Sequence, residues 1–167
     1  MKQLFRILFI FGVVVLLNQL ATGFVAATAE DVQQKTTLST SSIVMLTNKD
    51  RARFGLPALQ NDKKLEEAAQ KKAEDMARNQ YFSHTTQDNK KAWSFIAKAG
   101  YQFGAAGENL AVKFSDPEKI ENAWMKSDDH RDNILDKDFE DIGIGIAYGV
   151  YKGVPTYYVV QLFGTKL

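Results

Sequence analysis

The 167-residue chain contains no cysteine, only two histidines and three prolines. The absence of thiols excludes disulfide staples, cysteine nucleophiles and thiolate metal sites in this chain. Lysine and arginine number 21 against 20 aspartates and glutamates, so no excess of basic charge indicates a nucleic-acid partner. A hydrophobic content of 45% with 25% charged residues is typical of one ordinary globular domain.

The longest apolar run lies near the N-terminus, at residues 7–17, directly after Lys2 and Arg6. Ala27–Ala29 then supplies the small-residue pattern that signal peptidase prefers. These features predict that residues 1–29 are a signal peptide or, alternatively, an uncleaved N-terminal membrane anchor. In both cases the basic residues stay on the cytoplasmic side, so the remainder is expected to be exported.

The stretch 30–41 has few large apolar residues and is predicted to be a linker, which leaves residues 42–167 as the domain. Ser41 or Ser42 is positioned to cap the first helix. Helical spacing then predicts a buried face for that helix. Its expected members are Ile43, Leu46, Asp50 and Phe54.

Three further helices are predicted. Asn61 or Asp62 caps the second, whose apolar stripe has helical spacing. That stripe consists of Leu65, Ala68, Ala69, Ala73 and Met76. A shorter helix is expected near 90–99. The fourth begins in "SDPE", where Ser115 and Glu118 have capping-box spacing and Pro117 suits a first turn. Its predicted inner face is Ile120, Ala123, Trp124 and Ser127.

The last part of the sequence changes to a period of two. Residues 141–149, "DIGIGIAYG", alternate bulky isoleucines with glycine or alanine, so another element can approach one face closely. Residues 156–164, "TYYVVQLFG", are β-branched and aromatic. The two stretches predict an antiparallel hairpin, and a short strand is expected at 109–113. Helices before and among a few strands predict a layered α+β fold.

Both histidines lie in short polar segments that follow predicted helices. His84 occurs in "YFSHTTQD" and His130 in "MKSDDHRDNIL", whereas Glu108 lies in "GAAGENLAV" between a glycine turn and a strand. Two imidazoles and a carboxylate suit a divalent ion such as zinc, or a proton-transfer group without metal. Each residue also has a simpler interpretation, as a helix-end histidine or a carboxylate bonded to backbone amides. Sequence separation alone does not bring the three together.

Several segments resemble the CAP superfamily, which comprises cysteine-rich secretory proteins, antigen 5 and pathogenesis-related 1 proteins and is also called SCP-like. The resemblance is to its bacterial branch, and it covers roughly residues 43–163. The segments that carry it, in order, are "RARFGLPALQNDKKLEEAAQKKAEDMARNQYFSH", "AAGENLAV", "AWMKSDDHRDNIL", "DIGIGIAYG" and "YYVVQLFG". The resemblance implies an α-β-α sandwich with a small antiparallel sheet between helical layers.

The resemblance also implies a central cleft that bears two histidines and two acidic residues. By motif, His84, Glu108 and His130 match three members of that set. Ser127 occupies the position where eukaryotic relatives carry the second glutamate. The less direct candidates for this cleft are Ser127, Asp128, Asp129 and Asn133. A divalent metal ion such as zinc is the cofactor that some relatives bind there.

The function implied by the resemblance is that of an exported binding or interaction module whose cleft takes a divalent metal ion or a small ligand. One alternative is a hydrolase of cell-envelope or extracellular substrates, with His84 or His130 as general base. Another is a structural envelope protein with a vestigial cleft. Against the hydrolase, the chain has neither G-x-S-x-G nor H-E-x-x-H, so neither a serine nucleophile nor a zinc-protease helix is indicated. The expected partner is a small ligand or envelope component, without nucleic acid and with membrane contact only through an uncleaved N-terminal segment.

Overall fold

The computed structural model describes residues 37–167. The predicted signal peptide or anchor, and most of the predicted linker, lie outside the described residues. Within residues 37–167, no helix is both long and apolar enough to cross a lipid bilayer. The helices and strands of this part are α1 (Thr40–Arg53), β1 (Gln60–Asn61), α2 (Lys63–Asn79), α3 (Trp93–Lys98), β2 (Phe103–Val112), α4 (Pro117–Lys126), α5 (Asp128–Leu135), β3 (Asp141–Tyr151) and β4 (Val154–Lys166).

The strands form one sheet in the order β1-β3-β4-β2. The predicted hairpin of β3 and β4 is confirmed, and β2 pairs antiparallel with β4 on its other side. The short β1 runs parallel to β3, so the sheet is mixed and not purely antiparallel. Strand β2 begins at Phe103, earlier than the predicted 109–113, because its glycine- and alanine-rich first half is held by backbone pairing with β4. Small side chains give no period-two signal there.

Helices pack on both faces of the sheet, which confirms the α-β-α sandwich. On one face, α2 and α3 pack against inward side chains of β4 such as Tyr158 and Leu162. On the other face, α1, α4 and α5 cover a second cluster that includes Trp124 and Phe163. The alternation along β3 and β4 therefore produces two separate cores, one on each side of the sheet.

Glycines in β3 let α2 approach the sheet at backbone contact. A Cβ atom added at Gly143 would overlap the backbone of Leu65, and one added at Gly145 would overlap that of Ala69. The predicted bare face of "DIGIGIAYG" is thus the docking surface of α2. This close packing fixes the position of the loop that follows α2, where His84 lies.

The beginning of α1 differs from the prediction. Ser39, and not Ser41 or Ser42, is the N-cap, and its hydroxyl accepts from the Ser42 amide at 3.1 Å. The Ser42 hydroxyl oxygen accepts in return from the Ser39 amide at 3.0 Å, which completes a reciprocal capping box. The helix therefore starts inside the stretch predicted to be a linker.

The prediction of which residues form the buried face of α1 was also wrong in part. Phe54 is 60% exposed and Asp50 lies in an ion pair with Arg53, whereas Arg51 is fully buried. The Arg51 guanidinium donates to the carbonyl oxygens of Ile134 and Asp136 at 2.9 and 2.7 Å. Because carbonyl oxygens satisfy its donors, an arginine occupies a position that apolar spacing assigns to hydrophobic residues.

Helix α4 begins after Asp116, which accepts from the Glu118 amide at 2.9 Å, so the prediction of Ser115 as the cap was wrong. The aspartate is one residue closer to the free amides of the first turn. Pro117 occupies the first turn as predicted, and Asp62 caps α2 as predicted. Trp124 is 2% exposed and donates its indole N–H to the Leu110 carbonyl oxygen at 3.0 Å, which confirms it as a core residue.

Candidate functional site

His84 and Glu108 are in direct contact. The Nδ1 atom of His84 lies 2.6 Å from Oε2 of Glu108. The glutamate side chain is 3% exposed on β2, whereas the histidine side chain is 62% exposed in the loop after α2. The hydrogen bond to Glu108 raises the pKa of His84, although burial and the charge of Lys72 oppose this. With Nδ1 engaged, Nε2 is the ring nitrogen that remains for a ligand.

Lys72 of α2 supports this contact from inside the protein. It is fully buried, and its ammonium donates to the Ser83 carbonyl oxygen at 2.9 Å and the Tyr81 hydroxyl at 3.2 Å. Burial lowers the pKa of Lys72, while the charges of Glu108 and Asp75 raise it. The lysine thus fixes the backbone immediately before His84 and places a cation close to the buried carboxylate.

A cleft of about 340 Å³ opens at the His84–Glu108 contact. Its lining consists of His84, Thr85, Lys91, Ala92, Trp93, Ala106, Gly107, Glu108 and Asn133. A Cβ atom added at Gly107 would lie 2.8 Å from Asn133 Oδ1 and 3.0 Å from the Phe139 ring. Glycine at this position therefore keeps one wall of the cleft free for the asparagine. The surface combines an aromatic ring, a lysine and several hydrogen-bonding groups.

His130 lies one helical turn before Asn133 on α5, and its ring is half-buried. Its carbonyl oxygen accepts from Asn109 Nδ2 at 3.0 Å, so its backbone is tied to β2 next to Glu108. Burial lowers the pKa of His130, the charge of His84 lowers it further, and Asp129 opposes the shift. The two histidines are therefore close enough to influence each other, but His130 is not among the residues that line the cleft.

The less direct candidates occupy different places. Asn133 lines the cleft, and its amide nitrogen donates to Asn109 Oδ1 at 2.9 Å. Ser127 lies at the junction of α4 and α5. Asp128 pairs with Arg131 at 2.8 Å, and Asp129 is an exposed residue of the first turn of α5. Of the four, only the asparagine belongs to the lining of this cleft.

The described geometry does not fit a preformed three-ligand metal site. Among residues 37–167, no three histidine, aspartate or glutamate side chains are grouped so that they could hold a metal ion. Within the same range, Oε1 of Glu108 is buried without a hydrogen-bond partner, but Oε2 is committed to His84. The set of His84, Glu108 and His130 would have to rearrange before all three could bind one ion.

Reasoning from the sequence missed three polar residues that organise this region. Lys72, Asn109 and Gln161 are each fully buried. Each had a signal in the sequence: the lysine falls within the apolar stripe of α2, and the other two interrupt apolar strand segments. A polar residue at a core position needs a hydrogen-bond partner, so such interruptions mark buried networks.

A larger groove of about 770 Å³ lies at the start of α2, away from the two histidines. Two of its charged groups satisfy each other, because the Lys166 ammonium pairs with Asp62 at 3.0 Å, and this ammonium also contacts Asp141 at 3.1 Å. The Tyr101 hydroxyl also donates to Asp141 at 2.7 Å. We therefore place the candidate site at the smaller cleft, where a buried carboxylate oxygen and an exposed imidazole meet.

Comparison with known proteins gives consistent matches. The pattern of the Cysteine-rich secretory protein family, CAP, matches residues 44–163. The uncharacterised protein YkwD of Bacillus subtilis (strain 168) is 36% identical over 125 residues, which cover 71% of this chain and 49% of YkwD. The membrane protein YlbC of the same strain is 32% identical over 115 residues, covering 69% of this chain and 33% of YlbC. The chain thus spans half or less of the length of these relatives.

Solved structures show the same fold. An extracellular protein of Bacillus anthracis that contains an SCP domain is 31% identical with a TM-score of 0.64, over 76% of this chain and 40% of that protein. An outer surface protein of Borrelia burgdorferi is 23% identical with a TM-score of 0.65, over 80% of this chain and 99% of that protein. The second match supports the fold alone.

Proposed function

Because this chain belongs to the Cysteine-rich secretory protein (CAP) family, we propose that it is an exported binding module whose His84–Glu108 cleft takes a small polar ligand. Export is supported by the N-terminal sequence pattern. It is also supported by the solved relative from Bacillus anthracis, which is an extracellular protein. The place of action that follows is the cell envelope or the space outside it.

The observation that carries the proposal is the pairing of a buried carboxylate with an open imidazole. Glu108 holds His84 by Nδ1, so the exposed side of the ring is oriented without being blocked. Preorganised polar groups next to an aromatic wall are typical of small-molecule sites. Here Trp93 supplies the aromatic surface, and Asn133 and Lys91 supply polar contacts.

A divalent ion is the alternative occupant of this cleft. To bind both His84 and Glu108, it would have to replace the hydrogen bond between them, and His130 would have to move to join them. Both imidazoles must be neutral to bind a metal, so affinity would fall as the pH drops through the histidine range. The absence of a preformed three-ligand group among residues 37–167 makes us favour the small ligand.

Binding is tested by NMR titration of the purified protein with two kinds of probe: zinc chloride, and a panel of small alcohols, amines and N-acetylated sugars. We expect at least one polar probe to shift the signals of His84 and Trp93 in the wild type, with the shift of Trp93 lost in His84→Ala. Gln87→Ala is the matched control, since it changes the same loop outside the cleft lining. If no probe distinguishes His84→Ala from the control, the binding proposal fails.

Zinc gives a separate outcome in the same titration. Saturable binding that weakens in both His84→Ala and His130→Ala would establish the metal alternative. Equal affinity in the wild type and both variants would remove it.

A hydrolase is the second candidate, and one feature favours it. An imidazole held at Nδ1 by a carboxylate is oriented to act as a general base through Nε2. Within the histidine pair this geometry favours His84 over His130. Turnover of envelope polymers or peptides that is lost in His84→Ala and kept in Gln87→Ala would establish it. A folded protein with neither binding nor turnover would instead support the structural role with a vestigial cleft.

A further inference from the structure

A chain of buried hydrogen bonds leads from the cleft to α4 along the face of the sheet that α1, α4 and α5 cover. Asn133 donates to Asn109 at 2.9 Å, and Asn109 donates to Gln161 at 3.0 Å. Gln161 then donates to the Thr47 hydroxyl at 2.8 Å, and that hydroxyl donates to Glu121 Oε2 at 3.0 Å. The hydrogen-bond chain connects α5, β2, β4, α1 and α4, and so runs between the sheet and the helical layer formed by α1, α4 and α5.

Every bond in this chain runs in the same direction. Asn109, Gln161 and Thr47 each accept a hydrogen bond from the residue nearer the cleft, and each donates one to the next residue. Glu121 accepts the last bond. Chains of this kind are cooperative, since each bond polarises the next one. Reversing one amide would place two donors or two acceptors against each other inside the protein, at a cost typical of an unsatisfied buried polar group.

The direction of the hydrogen-bond chain determines which side-chain group of Asn133 remains for a ligand in the cleft. One hydrogen of its Nδ2 goes to Asn109, and the other goes to the Glu108 carbonyl oxygen at 3.3 Å. Both donors are therefore used inside the protein, and the side-chain oxygen Oδ1 is the group left for the cleft. An asparagine held in this way offers an acceptor and not a donor.

Asn109 also connects the hydrogen-bond chain to the backbone of His130. Its second amide hydrogen goes to the His130 carbonyl oxygen, which fixes the position of α5 relative to β2. The orientation of this amide is set by Gln161, whose oxygen accepts its first hydrogen. The same hydrogen-bond chain thus sets the orientation of the Asn133 amide at the cleft and the position of the His130 backbone.

We propose that Glu121 is a positioning residue of the cleft: by accepting at the far end of the chain, it fixes Asn133 as a hydrogen-bond acceptor and holds His130 in place. The glutamate is 3% exposed, and its other oxygen, Oε1, has no hydrogen-bond partner within residues 37–167. A carboxyl group buried at such a cost needs a role, and an apolar residue would fill the same space. Terminating the chain with an acceptor supplies that role.

The proposal concerns the protein alone. It rests on the proposed function only in its consequence for the ligand, which should carry hydroxyl or N–H donors or a positive charge where it meets Asn133. The orientation of the amides can be measured without any ligand. Failure of the binding experiment and failure of the hydrogen-bond chain are therefore separate results.

The test is NMR of the side-chain amides of Asn109, Asn133 and Gln161 in the ligand-free protein. In Glu121→Leu the acceptor is lost, and we expect the amide hydrogens of Asn133 and Asn109 to exchange about five- to tenfold faster with solvent. Glu121→Gln keeps a carbonyl oxygen for Thr47 and should restore slow exchange. Glu118→Gln, on the exposed side of the same helix, is the matched control.

A second pair of variants keeps the test valid if Glu121→Leu does not fold. Thr47→Val removes the hydroxyl that links Gln161 to Glu121, whereas Thr47→Ser keeps it. Backbone amides of the sheet, measured in the same spectra, report global opening and separate it from local release of the amides. The proposal is overturned if Thr47→Val leaves the exchange of the Asn133 amide and the ring signals of His130 as they are in Thr47→Ser.

Discussion

The pKa values of His84 and His130 shift in opposite directions. The bond to Glu108 raises the first, whereas burial and the charge of His84 lower the second. Two histidines with ordinary pKa values would gain and lose their protons together near pH 6.5. Between the two shifted values, His84 is instead charged while His130 is neutral.

The first prediction follows from this relationship. NMR titration should give a pKa above 6.5 for His84 and below 6.5 for His130. Glu108→Gln should lower the pKa of His84, because the anionic partner is lost. His84→Ala should raise the pKa of His130, because a nearby cation is removed. Glu118→Gln should change neither value. A common pKa for both rings in the wild type would contradict the described geometry.

The second prediction concerns stability and Glu121. Burial raises its pKa to about 8, and the charge of Asp50 adds to the shift. The folded state therefore keeps a proton that the unfolded state loses near pH 4.5, so stability should fall as the pH rises from there through 8. By this linkage, Glu121 should cost roughly 3–5 kcal/mol of unfolding free energy across that interval.

Denaturant unfolding at pH 5 and pH 8 measures this effect. Glu121→Gln cannot ionise, so its stability should fall less between the two pH values than that of the wild type. His84 adds a smaller loss in the same direction, since stability from its raised pKa is present below 6.5 and disappears above the folded value. Glu118→Gln should follow the wild type. An unchanged pH dependence in Glu121→Gln would show that the carboxyl is ionised in the folded protein.

The third prediction concerns the contact of α2 with the sheet. Gly143→Ala should destabilise the protein by about 3–5 kcal/mol or prevent folding, because the new Cβ overlaps the backbone of Leu65. Gly104→Ala is the matched control on β2, where the nearest atom to a new Cβ is 3.7 Å away at Leu167. Its unfolding free energy should stay within about 1 kcal/mol of the wild type. Similar losses in both variants would contradict the close approach of α2.

The fourth prediction concerns Trp124. Trp124→Ala should cost about 3–5 kcal/mol of unfolding free energy, because it leaves a cavity between α4 and the sheet. Trp124→Phe keeps most of the apolar volume but leaves the Leu110 carbonyl oxygen without its donor, for a cost of about 1–3 kcal/mol. Urea unfolding distinguishes the two. A loss below about 1 kcal/mol in Trp124→Ala would rule out its core position.

The fifth prediction concerns export. If residues 1–29 are a cleaved signal peptide, mass spectrometry of the protein recovered outside the cell should find Glu30 at its N-terminus. Ala29→Arg, which removes the small residue next to the cleavage point, should leave a longer, membrane-bound form. Intact wild-type protein in the membrane fraction would support the uncleaved anchor.

The spacing of apolar residues correctly predicted the helices and strands whose buried side chains recur at regular intervals. The alternation of isoleucine with glycine located β3 and its bare face, and the stripe from Leu65 to Met76 located α2. The same reasoning failed at Arg51 and Glu121, which occupy core positions of their helices. Both have hydrogen-bond partners that are distant in sequence, and helical spacing carries no information about such partners.

For the candidate site, residue type and family resemblance were informative, whereas apolar periodicity was not. The sequence identified His84, Glu108 and His130 by residue type, but only the resemblance to a family placed them together. The contact of His84 with Glu108 joins residues 24 positions apart and depends on the loop that Lys72 holds. Asn133 and its hydrogen-bond chain depend on five elements that meet only in the finished fold. Long-range geometry of this kind has no local signature in the sequence.

The order of strands in the sheet also determines when the protein can fold. Strand β4 comes after the other strands of residues 37–167, yet it lies between β3 and β2, so neither of the two long pairings exists before its residues are available. In the proposed export, with the N-terminus first, this domain would therefore remain unfolded until the residues of β4 had emerged. Because both cores contain side chains of β4, neither core can be completed before that point.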